Sequence, residues 1–312
     1  MARVLVTEQI DPVGIELLKA NGHTVIQMQT RERSELLQKA ADADAILVRI
    51  LELDEELMKS LPNLRVISKH GVGVDNIDLA AAKRCGIAVT VTPGANSTSV
   101  AEHTFALMIA LAKKLPYVAA QYRKIGFAAK NVSPGVELSG KTLGIIGIGN
   151  IGSRLARMAH FGFDMRVLAY DPYVKEVPEG VELTDDVARI FRESDFVSLH
   201  CVLNEETQHI ANAERLAMMK PTAMLLNCGR GPLVDEAALI EALQAGRLAG
   251  AGLDVTEQEP CPPDSPLFAM PNVILTPHYA PTTRASAEAC SRMAAENIMA
   301  VLAGEEVKGR LV

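Results

Sequence analysis

Gly147, Gly149 and Gly152 are spaced G-I-G-N-I-G between the apolar run TLGIIGI and a stripe of Ile151, Leu155, Met158 and Ala159. The stripe recurs at i, i+4, i+7 and i+8, so the stretch reads as a strand, a glycine turn and a helix with one buried face. Chemically this is a cradle for a diphosphate. The first glycine permits a tight turn, the second lets backbone approach a pyrophosphate, and the third lets the helix pack on the strand. The amides of Asn150 and Ile151 open the helix and would face the anion. Asp171 ends the next strand, nineteen residues after Gly152. A carboxylate there suits the adenosine ribose hydroxyls and would repel the extra phosphate of NADP, so the expected cofactor is NAD.

Other residues could do chemistry at strand ends. Arg230 follows the apolar run AMLLNCG, and His278 follows NVILTP. A guanidinium can grip a carboxylate in two-pronged fashion, and a histidine can move a proton near neutral pH. On spacing alone Arg230 could equally be a surface arginine. On the same footing, a histidine held by ordinary hydrogen bonds is the better reading of His278. Three acids precede it, Asp254, Glu257 and Glu259, and any of them could pair with it. A lone glutamate in a loop is most often just solvated. Cys228 has no implied histidine partner and reads as a packing residue.

These residues need elements to position them, and the pattern supplies two blocks. The apolar runs RVLVTE, HTVIQM, DAILVRI, LRVISKHG and IAVTVTP alternate with helical stretches. Five strands in that rhythm indicate βαβ units on a parallel sheet, yet this first block has no G-x-G-x-x-G. Residues 97–124 read as one long helix connecting two blocks, with Ser97 or Thr98 as N-cap and Pro116 kinking or ending its first part. Residues 129–140 read as loop. The second block starts at Lys141 with six strands, TLGIIGI, MRVLAYD, DFVSLH, AMLLNCG, AGAGLDV and NVILTPH. That is enough for a complete dinucleotide-binding sheet. The chain closes on a helix, TTRASAEACSRMAAENIMAVLAGE.

Composition narrows the classes. With 312 residues, 48% apolar and 22% charged, the chain has room for two cores of ordinary size. No run reaches the about 18 apolar residues of a membrane span, and the N-terminus lacks the apolar run of a signal peptide. Five scattered cysteines without a CxxC pair argue against a zinc site or disulfide framework and for the cytoplasm. A net charge of −7 with no basic stripe argues against nucleic acid as a partner.

Six stretches carry a resemblance: HGVGVDNIDL (70–79), LGIIGIGNIG (143–152), VSLHCVLNEETQHI (197–210), NCGRGPLVDEAAL (227–239), AGAGLDVTEQEP (249–260) and TPHYAPTT (276–283). They fall in order over nearly the whole chain. The sequence resembles the D-2-hydroxyacid dehydrogenases, particularly their phosphoglycerate dehydrogenase-like branch. The resemblance implies an α/β fold of two Rossmann-like, doubly wound parallel-sheet domains. The NAD-binding domain (99–283) is inserted into a flavodoxin-like substrate domain (1–98 plus 284–312), with the active site in the cleft. It implies reversible hydride transfer between NAD(H) and a small 2-hydroxy or 2-keto acid. In that pattern Arg230 grips the substrate carboxylate. His278 is the general acid in reduction and the base in reverse, and Glu259 is its partner.

By the same resemblance Val72, His200, Cys201, Thr207, Cys228, Gly229, Arg230, Asp254, His278 and Ala280 join the glycine turn and Asp171 around the cofactor, Asp254 near the nicotinamide amide. The amides of His70, Gly71, Val72 and Gly73 would cradle the substrate carboxylate, and Asn96 faces the same cleft. Arg49 and Lys69 end neighbouring strands. Together they could read a second anion such as a phosphate; alternatively Arg49 alone assists the carboxylate. Lys69 is a point charge where related phosphoglycerate enzymes have a fork. The long helix resembles an arm that clasps a second subunit, implying a homodimer through the cofactor domain. The chain ends at Val312, so a C-terminal regulatory domain is not expected. Two alternatives stand beside 3-phosphoglycerate oxidation: a hydroxypyruvate/glyoxylate reductase, and a non-catalytic NAD(H)-binding regulator on the same fold.

Overall fold

The computed structural model describes residues 1–30 and 32–312. The chain divides into two compact units, residues 1–96 with 282–312, and residues 97–281.

In the first unit, strands β1 (Arg3–Val6), β2 (Thr24–Gln27), β3 (Ala45–Val48), β4 (Val66–Lys69) and β5 (Ala88–Thr90) alternate with helices α1 (Pro12–Ala20), α2 (Arg33–Ala40), α3 (Glu55–Ser60) and α4 (Leu79–Arg84). All pairings are parallel, in the order β2-β1-β3-β4-β5. This is the flavodoxin-like doubly wound order. Every residue of β3 and β4 is buried, because helices cover both faces and the strands can be apolar throughout. Aspartates cap three helices: Asp11, Asp54 and Asp78 accept from the amides of Val13, Leu57 and Ala81. The closing helix, Arg284–Ala303, returns to this unit and lies on α1. Gly14 permits the contact, since a Cβ there would sit 2.4 Å from the carbonyl oxygen of Ser291.

The second unit begins with α5 (Ser97–Ala112) and α6 (Leu115–Ile125). The expected single helix is two, because Lys114 takes a left-handed conformation (φ 52°) and Pro116 falls in the first turn of α6, where a missing amide costs nothing. Then come β6 (Thr142–Ile146), α7 (Asn150–Phe163), β7 (Arg166–Tyr170), β8 (Val181–Thr184), α8 (Val187–Glu193), β9 (Phe196–Leu199), α9 (Ala213–Met218), β10 (Met224–Asn227), α10 (Glu236–Gln244), β11 (Gly250–Leu253) and β12 (Val273–Leu275). Among the described residues the sheet has seven strands rather than six, in the order β12-β11-β10-β9-β6-β7-β8. The extra strand, β8, is an edge of four residues paired only with β7 and mostly half-exposed. It is too short to announce a period. Phe191 and Phe196 lie fully inside, each burial stabilising the unit by about 1.5–3 kcal/mol. No described helix is long and apolar enough to cross a membrane.

Candidate active site

The glycine turn joins β6 to α7 at the carboxyl end of the sheet. Gly147 has φ +93°, and a Cβ there would lie 2.5 Å from the amide nitrogen of Cys201. A Cβ on Gly152 would lie 2.2 Å from the carbonyl oxygen of Gly147, while Gly149 faces open space. No side chain caps α7, and its first internal bond runs from the Ser153 amide to the Gly149 carbonyl at 3.0 Å. Among the described residues, the amides of Asn150 and Ile151 therefore keep no intramolecular acceptor. Asp171 accepts from the amides of Ile148 and Tyr173, both at 3.0 Å, one on each oxygen. Its remaining lone pairs can take hydroxyl donors. Donors, space and acid fit a dinucleotide.

After the ends of β11 and β12 lies a histidine–carboxylate pair. The Nδ1 of His278 lies 2.9 Å from Glu259 Oε2. That hydrogen bond, with the charges of Glu259 and Asp254, lifts the imidazole above its ordinary range, against burial and the nearby Arg230. His278 itself is left-handed (φ 51°), a conformation that must be held from outside. Asp254 does much of the holding. Its carbonyl accepts from the His278 amide (2.8 Å), Oδ1 from the Tyr279 amide (2.7 Å) and the Thr276 hydroxyl (2.5 Å), and Oδ2 from the Ala280 amide (2.8 Å). From α5, His103 Nε2 reaches Thr276 Oγ1 at 3.1 Å, and the Ser99 hydroxyl donates to the Ala280 carbonyl at 2.6 Å. Arg230 is half-buried after β10, and Asn227 Nδ2 donates to its carbonyl at 2.8 Å.

Several residues expected around the cofactor turn out to be committed inward. The side chain of Asp254 has no exposed surface, and both oxygens are occupied as described. Ala280 uses its amide and its carbonyl in the same turn. Thr207 donates to the Val202 carbonyl at 2.6 Å, closing its own loop. His200 is half-buried, bonded through Nε2 to Ser198 at 2.8 Å, and desolvation pushes it down to about 4. Burial also lifts the thiols of Cys201 and Cys228 to about 11 and 12, which suits packing rather than nucleophilic attack. Gly229 follows Cys228, its amide bonded to Asn227 Oδ1 at 3.0 Å.

In the first unit the expected carboxylate cradle is half committed. The amide of His70 donates to Val48 and that of Gly71 to Thr92 Oγ1, at 2.8 and 3.0 Å. Of the four cradle amides, those of Val72 and Gly73 keep no internal acceptor among the described residues. Asn96 is half-buried. Arg49 is exposed, whereas Lys69 is buried, and its ammonium donates to the Arg49 carbonyl and to Asn76 Oδ1. Sequence reasoning missed Ser99, His103 and Thr276. Thr276 stands two residues before the histidine, a weak signal; the other two lie more than 170 residues away from their partners and leave none.

Amides open to a diphosphate and a histidine poised to serve a carbonyl oxygen, on one parallel sheet, are the requirements of a nicotinamide-dependent dehydrogenase. Residues 105–280 match the family model for the NAD binding domain of the D-isomer specific 2-hydroxyacid dehydrogenases. A D-3-phosphoglycerate dehydrogenase of Methanocaldococcus jannaschii is 42% identical over 98% of this chain, which spans 58% of that protein's length. A glyoxylate reductase of Thermofilum pendens is 41% identical over 97% of this chain and 92% of its own. The crystal structure of protein TT0316 from Thermus thermophilus superposes with a TM-score of 0.91 at 39% identity, covering 99% of this chain and 100% of that one. The chain belongs to the D-isomer specific 2-hydroxyacid dehydrogenases, a family of NAD(H)-binding oxidoreductases acting on CH–OH groups.

Proposed function

We propose that this chain transfers a hydride reversibly between NAD(H) and a small 2-hydroxy or 2-keto acid. The observation that carries the reading is the His278–Glu259 pair at 2.9 Å, with Arg230 close enough for its charge to bear on the imidazole. When bound, the nicotinamide supplies or takes the hydride. Arg230 grips the carboxylate of the acid. His278, through Nε2, gives a proton to the C2 oxygen in reduction and removes it in oxidation. Glu259 holds the other ring nitrogen and stabilises the imidazolium. A non-catalytic NAD(H) sensor would have no need of this relay.

Two acid classes remain. Arg49, exposed, supports a doubly anionic acid such as 3-phosphoglycerate. Lys69, turned into the chain, supports the smaller acids of a hydroxypyruvate/glyoxylate reductase, since it leaves one cation where two were expected. Initial rates with 3-phosphoglycerate, hydroxypyruvate and glyoxylate decide between them by kcat/KM. NADH binding without turnover of any acid would return the sensor reading.

The same proposal includes a homodimer through the second unit. Helix α6 buries none of its residues, and Leu115, Tyr122, Ile125 and the following Phe127 are exposed. A groove of about 320 Å³ beside it is lined by Leu111, Tyr117, Val132 and Ile274. An apolar surface of that kind calls for a partner, and a second copy of the chain is the one we infer. Sedimentation equilibrium of wild type and Phe127→Glu tests it. The five free thiols favour the cytoplasm as its compartment.

A further inference from the structure

We infer that Glu8 is a positioning residue for Arg49: with Lys69 and Asn76 it clamps residues 49–51 from two sides, so that the Arg49 guanidinium meets the substrate acid from a fixed backbone. The inference rests on the reading that Arg49 contacts the acid.

Glu8 follows β1 and is 9% exposed. Its Oε2 accepts from the Arg49 amide at 2.8 Å and from the Thr7 hydroxyl. Its Oε1 accepts from the amides of Ile50 and Leu51 at 2.8 and 2.6 Å. Three consecutive amides and a hydroxyl thus converge on one buried carboxylate, the environment such a charge requires. The carbonyls of the same loop are held by the opposite kind of group. The Lys69 ammonium donates to the Arg49 carbonyl, and Asn76 Nδ2 donates to the Leu51 carbonyl at 2.6 Å. Asn76 Oδ1 in turn accepts from Lys69, tying the two donors together.

The loop's amides therefore face an anion, while its Arg49 carbonyl faces a cation and its Leu51 carbonyl a side-chain amide. A surface loop ordinarily leaves these groups to water, and burying two charges to hold one is costly. The expense has a purpose if one side chain on the loop must be aimed. Arg49 is that side chain. Among the described residues its guanidinium makes no hydrogen bond or ion pair. Its charge nonetheless bears on His70, after β4, and on Cys290, in the closing helix. A committed backbone under an uncommitted head group is how a ligand-reading residue is built. On this account Lys69 serves the acid indirectly, through the carbonyl it holds.

The test uses Glu8→Gln, Asn76→Ala, Arg49→Ala and the double variant Glu8→Gln/Arg49→Ala, with glyoxylate and 3-phosphoglycerate as probes. Glu8→Gln puts an NH2 group against the loop amides. It should raise KM for the acid about tenfold, well beyond any fall in kcat, and leave KM for NADH in place. In the double variant it should add little to Arg49→Ala, because the two act as one unit. A merely structural role would lower Tm and add in full. A folded Glu8→Gln whose acid KM stays within about twofold of wild type, or whose effect is additive with Arg49→Ala, overturns the clamp. If Glu8→Gln does not fold, Asn76→Ala carries the test, with an expected rise of about threefold against the same criteria. Should Arg49→Ala leave every acid KM unchanged, the reading of Arg49 itself falls and takes the clamp with it. Rates that vanish for all acids in wild type would instead refute the enzyme.

Discussion

The glycine turn after β6 and the histidine turn after β12 sit on the same sheet and use backbone in opposite ways. At the glycine turn the amides of Asn150 and Ile151 are left without internal partners, and Gly149 leaves space in front of them. At the histidine turn the amides of His278, Tyr279 and Ala280 are all bound to Asp254. In the first the backbone itself offers the free donors, which we propose bind the cofactor. In the second it is a mount for one side chain in a left-handed conformation. On the proposed function, the lesson is that an anion site is built by withholding hydrogen bonds, whereas an acid–base site is built by completing them.

The two turns should fail differently. His278→Asn removes the proton donor but leaves the mount, so kcat should fall by about 10²–10⁴-fold with NADH affinity retained. Steady-state rates paired with a fluorescence titration of NADH check this, and a parallel loss of NADH affinity would blur the contrast. Gly147→Ala strikes the other turn. A methyl at φ +93°, 2.5 Å from a backbone nitrogen, strains the loop by about 1–3 kcal/mol. The expected result is a rise in the NADH dissociation constant of about tenfold or more, with a lowered melting temperature.

This contrast also explains what could be read from the residues alone. A site made by withholding leaves a mark, because only glycine tolerates the turn and the close approach: Gly147, Gly149, Gly152 and Asp171 could be named from spacing. A site made by completing draws on partners scattered along the chain. Ser99 and His103 on α5 meet the 276–280 turn only because α5 packs on β10–β12. Glu8 and Lys69 meet Arg49 only because β1, β3 and β4 are neighbours in the first sheet. The parallel sheets themselves were legible from buried apolar runs. The edge strand β8 was not, since four residues, only one of them buried, carry no period. Nor was the inward turn of Lys69, whose spacing predicts a strand end but not the carbonyl waiting beside it.

Thr276→Val sharpens the comparison at smaller scale. It keeps the shape and removes the hydroxyl that donates to Asp254 and receives from His103. A buried carboxylate losing one donor costs about 1–3 kcal/mol. The histidine turn should loosen, and kcat should drop about tenfold while NADH binding holds. Equal losses in NADH binding would mean that the mount and the cofactor site are one structure, and the contrast between the turns would be lost.

The subtlest break is Glu259→Gln, read through pH. In wild type the hydrogen bond and charge of Glu259 raise the His278 pKa. Reduction of a keto acid needs the imidazolium, so its rate should be full at low pH and fall as pH rises through that raised value. Removing the carboxylate takes away both contributions of Glu259 and leaves burial and Arg230, which lower the pKa, opposed only by the weaker charge effect of Asp254. The reductive limb should therefore move to lower pH. Oxidation of the hydroxy acid needs the neutral ring, and its rising limb should move the same way. Around neutral pH the variant must lose more in reduction than in oxidation, which a general loss of structure cannot mimic. Stability follows the same sign. A raised pKa in the folded state contributes stability that is present below the unfolded value and is lost as pH rises through the folded one. The two side chains are 46% and 40% exposed, so solvent screening holds that contribution to about 0–1 kcal/mol. A melting-temperature difference between wild type and variant that grows toward alkaline pH would reverse the sign and place the Glu259 interaction on the neutral ring.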